Sequence, residues 1–116
     1  MHALALVALV ALLHAYFLVL EMFLWRARAG PVFGLSGAQV EATAVLAANQ
    51  GLYNGFLAAG LAWALFSGDQ LLPRATFFLA CVVAAGVYGA ATVRRTILWV
   101  QAAPAIAALA ALWLTR

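Results

Sequence analysis

Between residues 3 and 25 the chain places one charged side chain, Glu21, in an otherwise apolar run as long as a bilayer is thick. About 20 apolar residues in a helix cross the hydrocarbon core, and comparable stretches follow at residues 43–66, 75–93 and 96–114. Backbone N–H and C=O groups in lipid must be bonded within the protein, so runs of this kind fold as helices. Composition agrees, since 69% of residues are hydrophobic and 8% charged. A small soluble domain leaves too much area exposed to hide that much apolar surface. The expectation is an all-α, integral membrane four-helix bundle, a single transmembrane domain over residues 1–116. Its helices fall at about 3–25, 37–66 with the membrane span from about 43, 75–93 and 96–114. The lipid bilayer is its first partner.

The first run is longer than the apolar part of a signal peptide, and its positive charge follows it, as Arg26 and Arg28, so it should be retained. There is no Lys, and the Arg residues sit beside apolar runs, which excludes the clustered basic footprint of a nucleic-acid binder. Arg26, Arg28, Arg94 and Arg95 share one side, against Arg74 and Arg116 on the other. Arginine accumulates in cytoplasmic loops, so this bias puts both termini outside the cytoplasm. A four-to-two excess is small enough to leave single and dual topologies open. Trp25 and Trp99 mark the arginine-rich face, Trp63 and Trp113 the opposite one, as interfacial belts require. The single cysteine, Cys81, allows no disulfide within one chain and no metal-ligand spacing exists, so it reads as a small buried hydrophobe.

The long connection after the first helix contains Gly30, Pro31 and Gly34, and ends in Ser36 and Gln39 at capping-box spacing. Helix two should start there. Polar side chains within spans face the bundle interior or a cavity, because burial in lipid is costly. His14 and Glu21 lie nearly on one face of helix one. Helix two carries Asn49, Gln50, Tyr53 and Asn54, helix three Tyr88 and Thr92, and helix four Gln101. Antiparallel threading gathers them into one polar pocket in the arginine-rich, cytoplasmic half.

At 100° per residue, Gly51, Gly55 and Ala62 share a stripe of helix two, with Asn49 and Tyr53 opposite. Glycines at this spacing admit a close neighbour, so helix two should be contacted all round and central. Gly86 with Ala90, and Gly89 with Ala85, give helix three a similar smooth face. Pro104 should bend helix four, freeing the carbonyl of Val100.

Taken together, VLAANQGLYNGFLAAGL, preceded by HAYFLVLEMFLW and VFGL and followed by AGVYGAATV and VQAAPA, resembles the bacterial domain-of-unknown-function family numbered 1304. The resemblance covers essentially the whole chain. It implies a small four-span protein of the bacterial inner (plasma) membrane. It marks His14, Glu21, Asn49, Gln50, Tyr53, Asn54, Tyr88, Gln101 and Pro104 as matching the family's pattern, and brings no activity with it.

Three functions fit these residues. In the first, Glu21 and His14 take up a proton or cation while the amides orient a small-molecule ligand for binding or transport. A path would then need a homo-oligomer, with the helix-three seam as contact. In the second, a buried glutamic acid and His14 serve acid–base isomerisation or cyclisation of a lipophilic substrate, with Tyr53 or Tyr88 stabilising charge. No nucleophile elbow, paired-His signature, phosphate loop or CxxC is present, so such an enzyme would use no cofactor. In the third, the polar residues only fix helix packing or partner binding, at roughly 0.6 kcal/mol per inter-helix hydrogen bond.

Overall fold

The computed structural model describes residues 2–115. Five α-helices occur among them: α1 (Ala3–Met22), α2 (Trp25–Phe33), α3 (Gly37–Leu65), α4 (Leu71–Thr92) and α5 (Ala103–Thr115). A 3₁₀ turn at Gly68–Gln70 leads into α4, and a π-helical turn at Leu98–Ala102 leads into α5. The described residues include no strand.

Ala3–Met22, Gly68–Thr92 and Leu98–Thr115 are long and apolar enough to cross a membrane, which marks a membrane protein. With 29 residues α3 is about 43 Å long, ample for a crossing. Its hydropathy falls below that of the other three because Asn49, Gln50, Tyr53 and Asn54 interrupt its apolar run.

The chain divides into two compact units, residues 13–56 and residues 1–12 with 57–116. In the larger unit one core draws on four helices. Val7 and Val10 come from α1, Leu61 and Ala64 from α3, Leu79 and Val82 from α4, and Ala108 and Leu112 from α5. The small residues permit close approach. A Cβ on Gly86 would lie 2.7 Å from the backbone nitrogen of Ala102, and one on Gly89 would lie 3.1 Å from Ile97. At one end of this unit Arg74 stacks 3.9 Å from the ring centre of Trp63, and the Trp113 indole N–H donates to Thr76 at 3.1 Å.

In the smaller unit, the end of α1, all of α2 and the first two-thirds of α3 come together. Val40, Ala44, Ala47, Gly51 and Asn54 are the buried positions of α3 here, spaced three and four apart. The cap that opens α3 is reciprocal. Ser36 N–H donates to Gln39 Oε1 at 2.8 Å, and Gln39 N–H donates to Ser36 Oγ at 3.2 Å.

Four features depart from the sequence reading. Helix one ends at Met22 instead of 25, because the Leu24 N–H wraps back to the Val19 carbonyl at 3.1 Å. The connection over 26–41 is not irregular but holds α2, which Gly34 closes at φ 69° with its N–H on the Gly30 carbonyl at 2.8 Å. Helix three begins at Leu71 instead of 75, with Pro73 in the first turn, where an N–H would have no partner within the helix. Pro104 acts through the turn before it. The Ala103 N–H bonds to the Leu98 carbonyl five residues back, so the backbone widens into a π turn ahead of the proline ring.

Candidate functional site

Glu21 stands in the last turn of α1, where the helix gives way to α2. Its residue is only 8% exposed, yet each carboxylate oxygen is occupied. Asn54 Nδ2 donates to Oε1 at 2.5 Å and Gln50 Nε2 donates to Oε2 at 2.7 Å. The two amides lie four residues apart on α3, hence one above the other on a single face. They reach the carboxylate because Gly51, between them, brings α3 against α1. A Cβ on Gly51 would meet Met22 Cγ at 2.8 Å, Glu21 Cβ at 3.0 Å and the Leu18 carbonyl at 3.2 Å. One turn on, a Cβ on Gly55 would clash with the Leu18 side chain.

A cavity of about 290 Å³ opens beside Glu21, and neither Gln50 nor Asn54 is among its lining residues. Met22 and Phe23 line it with Glu21, α2 adds Trp25 and Arg26, and α3 adds Ala44, Val45 and Ala48. Two bonds fix the α2 side chains. The Trp25 indole N–H donates to Thr43 Oγ1 at 3.1 Å, and Thr43 in turn donates to the Gln39 carbonyl at 2.7 Å. Arg26 Nε donates to Glu41 Oε1 at 2.9 Å in an exposed pair. Phe33 stacks near Trp25 at 5.5 Å between ring centres. A carboxylate oxygen has two acceptor directions, so with one amide on each oxygen Glu21 keeps capacity for a further donor.

The expected pocket residues therefore separate. Glu21, Gln50 and Asn54 come together in the smaller unit. His14, also there and fully buried, sits seven residues before Glu21, about 10 Å along the helix, with its ring edge-on to Phe17 at 5.1 Å. Asn49 and Tyr53 do not join them. Both are exposed, and Tyr53 pairs with Phe56 instead, at 5.7 Å. The expectation that helix two is contacted all round fails on this face, where Val45, Leu46, Leu52 and Phe56 are exposed as well.

Tyr88, Thr92 and Gln101 belong to the other unit. Tyr88 is exposed, the Thr92 hydroxyl folds back onto the Tyr88 carbonyl at 2.7 Å, and Gln101 is half-buried in the π turn. Among the described residues no group of three His, Cys, Asp or Glu is placed to hold a metal ion.

Sequence reasoning missed the cavity lining. Trp25 and Arg26 read as membrane-edge anchors, and the apolar wall residues as ordinary members of their apolar runs. The available signal was length, because a connection of that extent without structure of its own is uncommon. Gly34 then offers the stop signal of a helix ending at residue 33.

Comparison with known proteins places the chain in context. The uncharacterised protein YpaA of Lactococcus lactis subsp. lactis (strain IL1403) is 33% identical over 104 residues, which cover 87% of this chain and 87% of the relative. No solved structure matches. The family described as "Protein of unknown function (DUF1304)" matches residues 8–113, a stretch that holds Glu21, Gln50, Asn54 and the whole cavity lining, and the chain belongs to that family.

Proposed function

We propose that this protein binds a small molecule through Glu21, in the inner membrane, with α3 as the fourth span beside the three more apolar helices. One observation carries the reading: a buried carboxylate, held by two amides, lines an open cavity of about 290 Å³. A carboxylate in a membrane span is costly unless it is paired or faces a polar route, and packing alone is served as well by amide pairs. Gln50 and Asn54 fix the direction of the carboxylate, and its remaining acceptor capacity faces a donor in the cavity. An organic ammonium supplies such donors together with the compensating charge. Trp25, Phe23 and Met22 suit its carbon skeleton, since aromatic faces and a thioether accept an ammonium and its methylenes.

Binding is the step that a transporter and a receptor share, and the acid–base enzyme reading has no second catalytic group at the cavity to support it. The test is calorimetric titration of the detergent-purified chain with ethanolamine and with its neutral analogue ethylene glycol. Saturable binding of ethanolamine alone is expected, weakened at least about tenfold by Glu21→Gln, which removes one unit of charge at nearly constant shape. Equal binding of the two probes, or an unaffected Glu21→Gln variant, would overturn the reading.

A further inference from the structure

The cavity is not uniformly anionic. Of its two charged lining residues Glu21 is buried, and Arg26, five residues later on the next helix, is exposed. Arg26 meets Glu41 through Nε alone. A guanidinium carries five N–H donors, and the two terminal nitrogens of Arg26 make no bond among the described residues. The pair is exposed on both sides, at 66% and 64%, so it holds the arginine only weakly and leaves its fork open to an oxyanion. A ligand of one sign is poorly matched here. A plain cation brings its charge towards Arg26, and a plain anion brings its charge towards Glu21. The volume corresponds to about ten water molecules, which limits the occupant to a short molecule.

We infer that the occupant is a small zwitterion, an ammonium joined through a short linker to a phosphate or carboxylate, with the ammonium on Glu21 and the anionic group on the terminal nitrogens of Arg26. This rests on the cation-binding reading of Glu21 and adds Arg26 as the specificity-determining residue. Planar, two-pronged donation makes arginine the natural partner of either oxyanion. The same chemistry is offered by a free zwitterion in solution and by the headgroup of an ethanolamine phospholipid.

The experiment titrates the full chain in detergent with ethanolamine, inorganic phosphate and O-phosphoethanolamine. O-phosphoethanolamine is expected to bind at least about tenfold tighter than either half alone, as two linked charge contacts should. Arg26→Gln should abolish that gain, so that the two amines bind alike, whereas Glu41→Gln, outside the cavity lining, should retain it. Arg26 and Glu41 are both exposed, so neither substitution endangers folding, and thermal unfolding of each variant verifies it.

If ethanolamine binds and O-phosphoethanolamine binds no tighter, or if Arg26→Gln keeps the gain, the zwitterion is overturned while the role of Glu21 stands. If neither amine binds, the Glu21 reading fails and the zwitterion fails with it. Nanodiscs then separate the sources. Competition of phosphatidylethanolamine, but not phosphatidylglycerol, with the soluble probe supports the headgroup, and equal probe binding in both bilayers supports the free zwitterion.

Discussion

Asn54 holds Glu21 from a buried position, at 9% exposed, whereas Gln50 makes a bond of similar length from the exposed flank of the same helix. A carboxylate oxygen that loses its donor in a dry site cannot turn to water, whereas one on an exposed flank can, so the two residues should differ in cost despite their matching geometry. Asn54→Leu is expected to destabilise the protein by about 1–2 kcal/mol and Gln50→Leu by under about 0.5 kcal/mol, given the range measured for hydrogen bonds between membrane helices. Denaturant unfolding in detergent micelles measures both. A double-mutant cycle with Glu21→Leu should recover most of the Asn54 cost, because the buried donor and acceptor then leave together. Equal costs for the two amides would mean that burial does not rank them. Glu21, Gln50 and Asn54 were legible only as members of a larger polar set that also held His14, Asn49, Tyr53, Tyr88, Thr92 and Gln101, since polar side chains inside apolar runs are few but their direction is not written in the sequence. Their partners at the cavity were not, because Trp25 and Arg26 have the composition of ordinary membrane-edge anchors.

Among the elements, α3 depends on what faces its glycines. The Gly51 position abuts the Leu18 carbonyl and the stem of Glu21, atoms that cannot rotate away, whereas the Gly55 position abuts the far end of the Leu18 side chain, which can. Gly51→Ala should therefore cost about 1–3 kcal/mol through overpacking and weaken ligand binding by shifting Glu21, and Gly55→Ala should cost less on both counts. Thermal unfolding and ethanolamine titration of the two variants provide the check. Gly55→Leu adds more volume than one rotamer change can absorb and should impair packing outright. The glycine seam was readable from spacing alone, and so was the start of α3, because Ser36 and Gln39 declare a cap locally. The open face of α3 was not readable. Asn49 and Tyr53 are as polar as the residues that are buried, and only the direction in which a neighbour packs decides which side of a helix is closed. Helix α2 escaped for a related reason: Gly30 and Pro31 look like loop residues until a turn's worth of hydrogen bonds is traced through them.

At the scale of the whole molecule, large apolar side chains such as Phe66, Phe77 and Leu114 stand exposed at 90%, 63% and 83%. In water these surfaces would associate, and in a bilayer they meet lipid. The bias of arginines Arg26, Arg28, Arg94 and Arg95 against Arg74 and Arg116 predicts that both ends of the chain lie outside the cytoplasm. Alkaline phosphatase fused after residue 116 should accordingly be active and green fluorescent protein at the same position dark. The reverse pattern would invert the topology and turn the Glu21 cavity towards the opposite side. Three of the four expected apolar runs followed from residue counts, which hydropathy reports directly, whereas the run in α3 is broken by Asn49, Gln50, Tyr53 and Asn54.

The π turn at Leu98–Ala102 has a consequence for chain length. A bond from residue 103 to residue 98 spans one residue more than an α-helical bond, so the turn stores a single surplus position beside the proline. Removing Val100 alone would return the Pro104 ring to the carbonyl it now avoids. Removing it together with Pro104→Ala would leave an uninterrupted helix, with the phase of α5 unchanged against the packed face of α4. The deletion should thus be harmful by itself and largely tolerated together with the substitution, making this turn a place where the chain can lose a residue without losing its register.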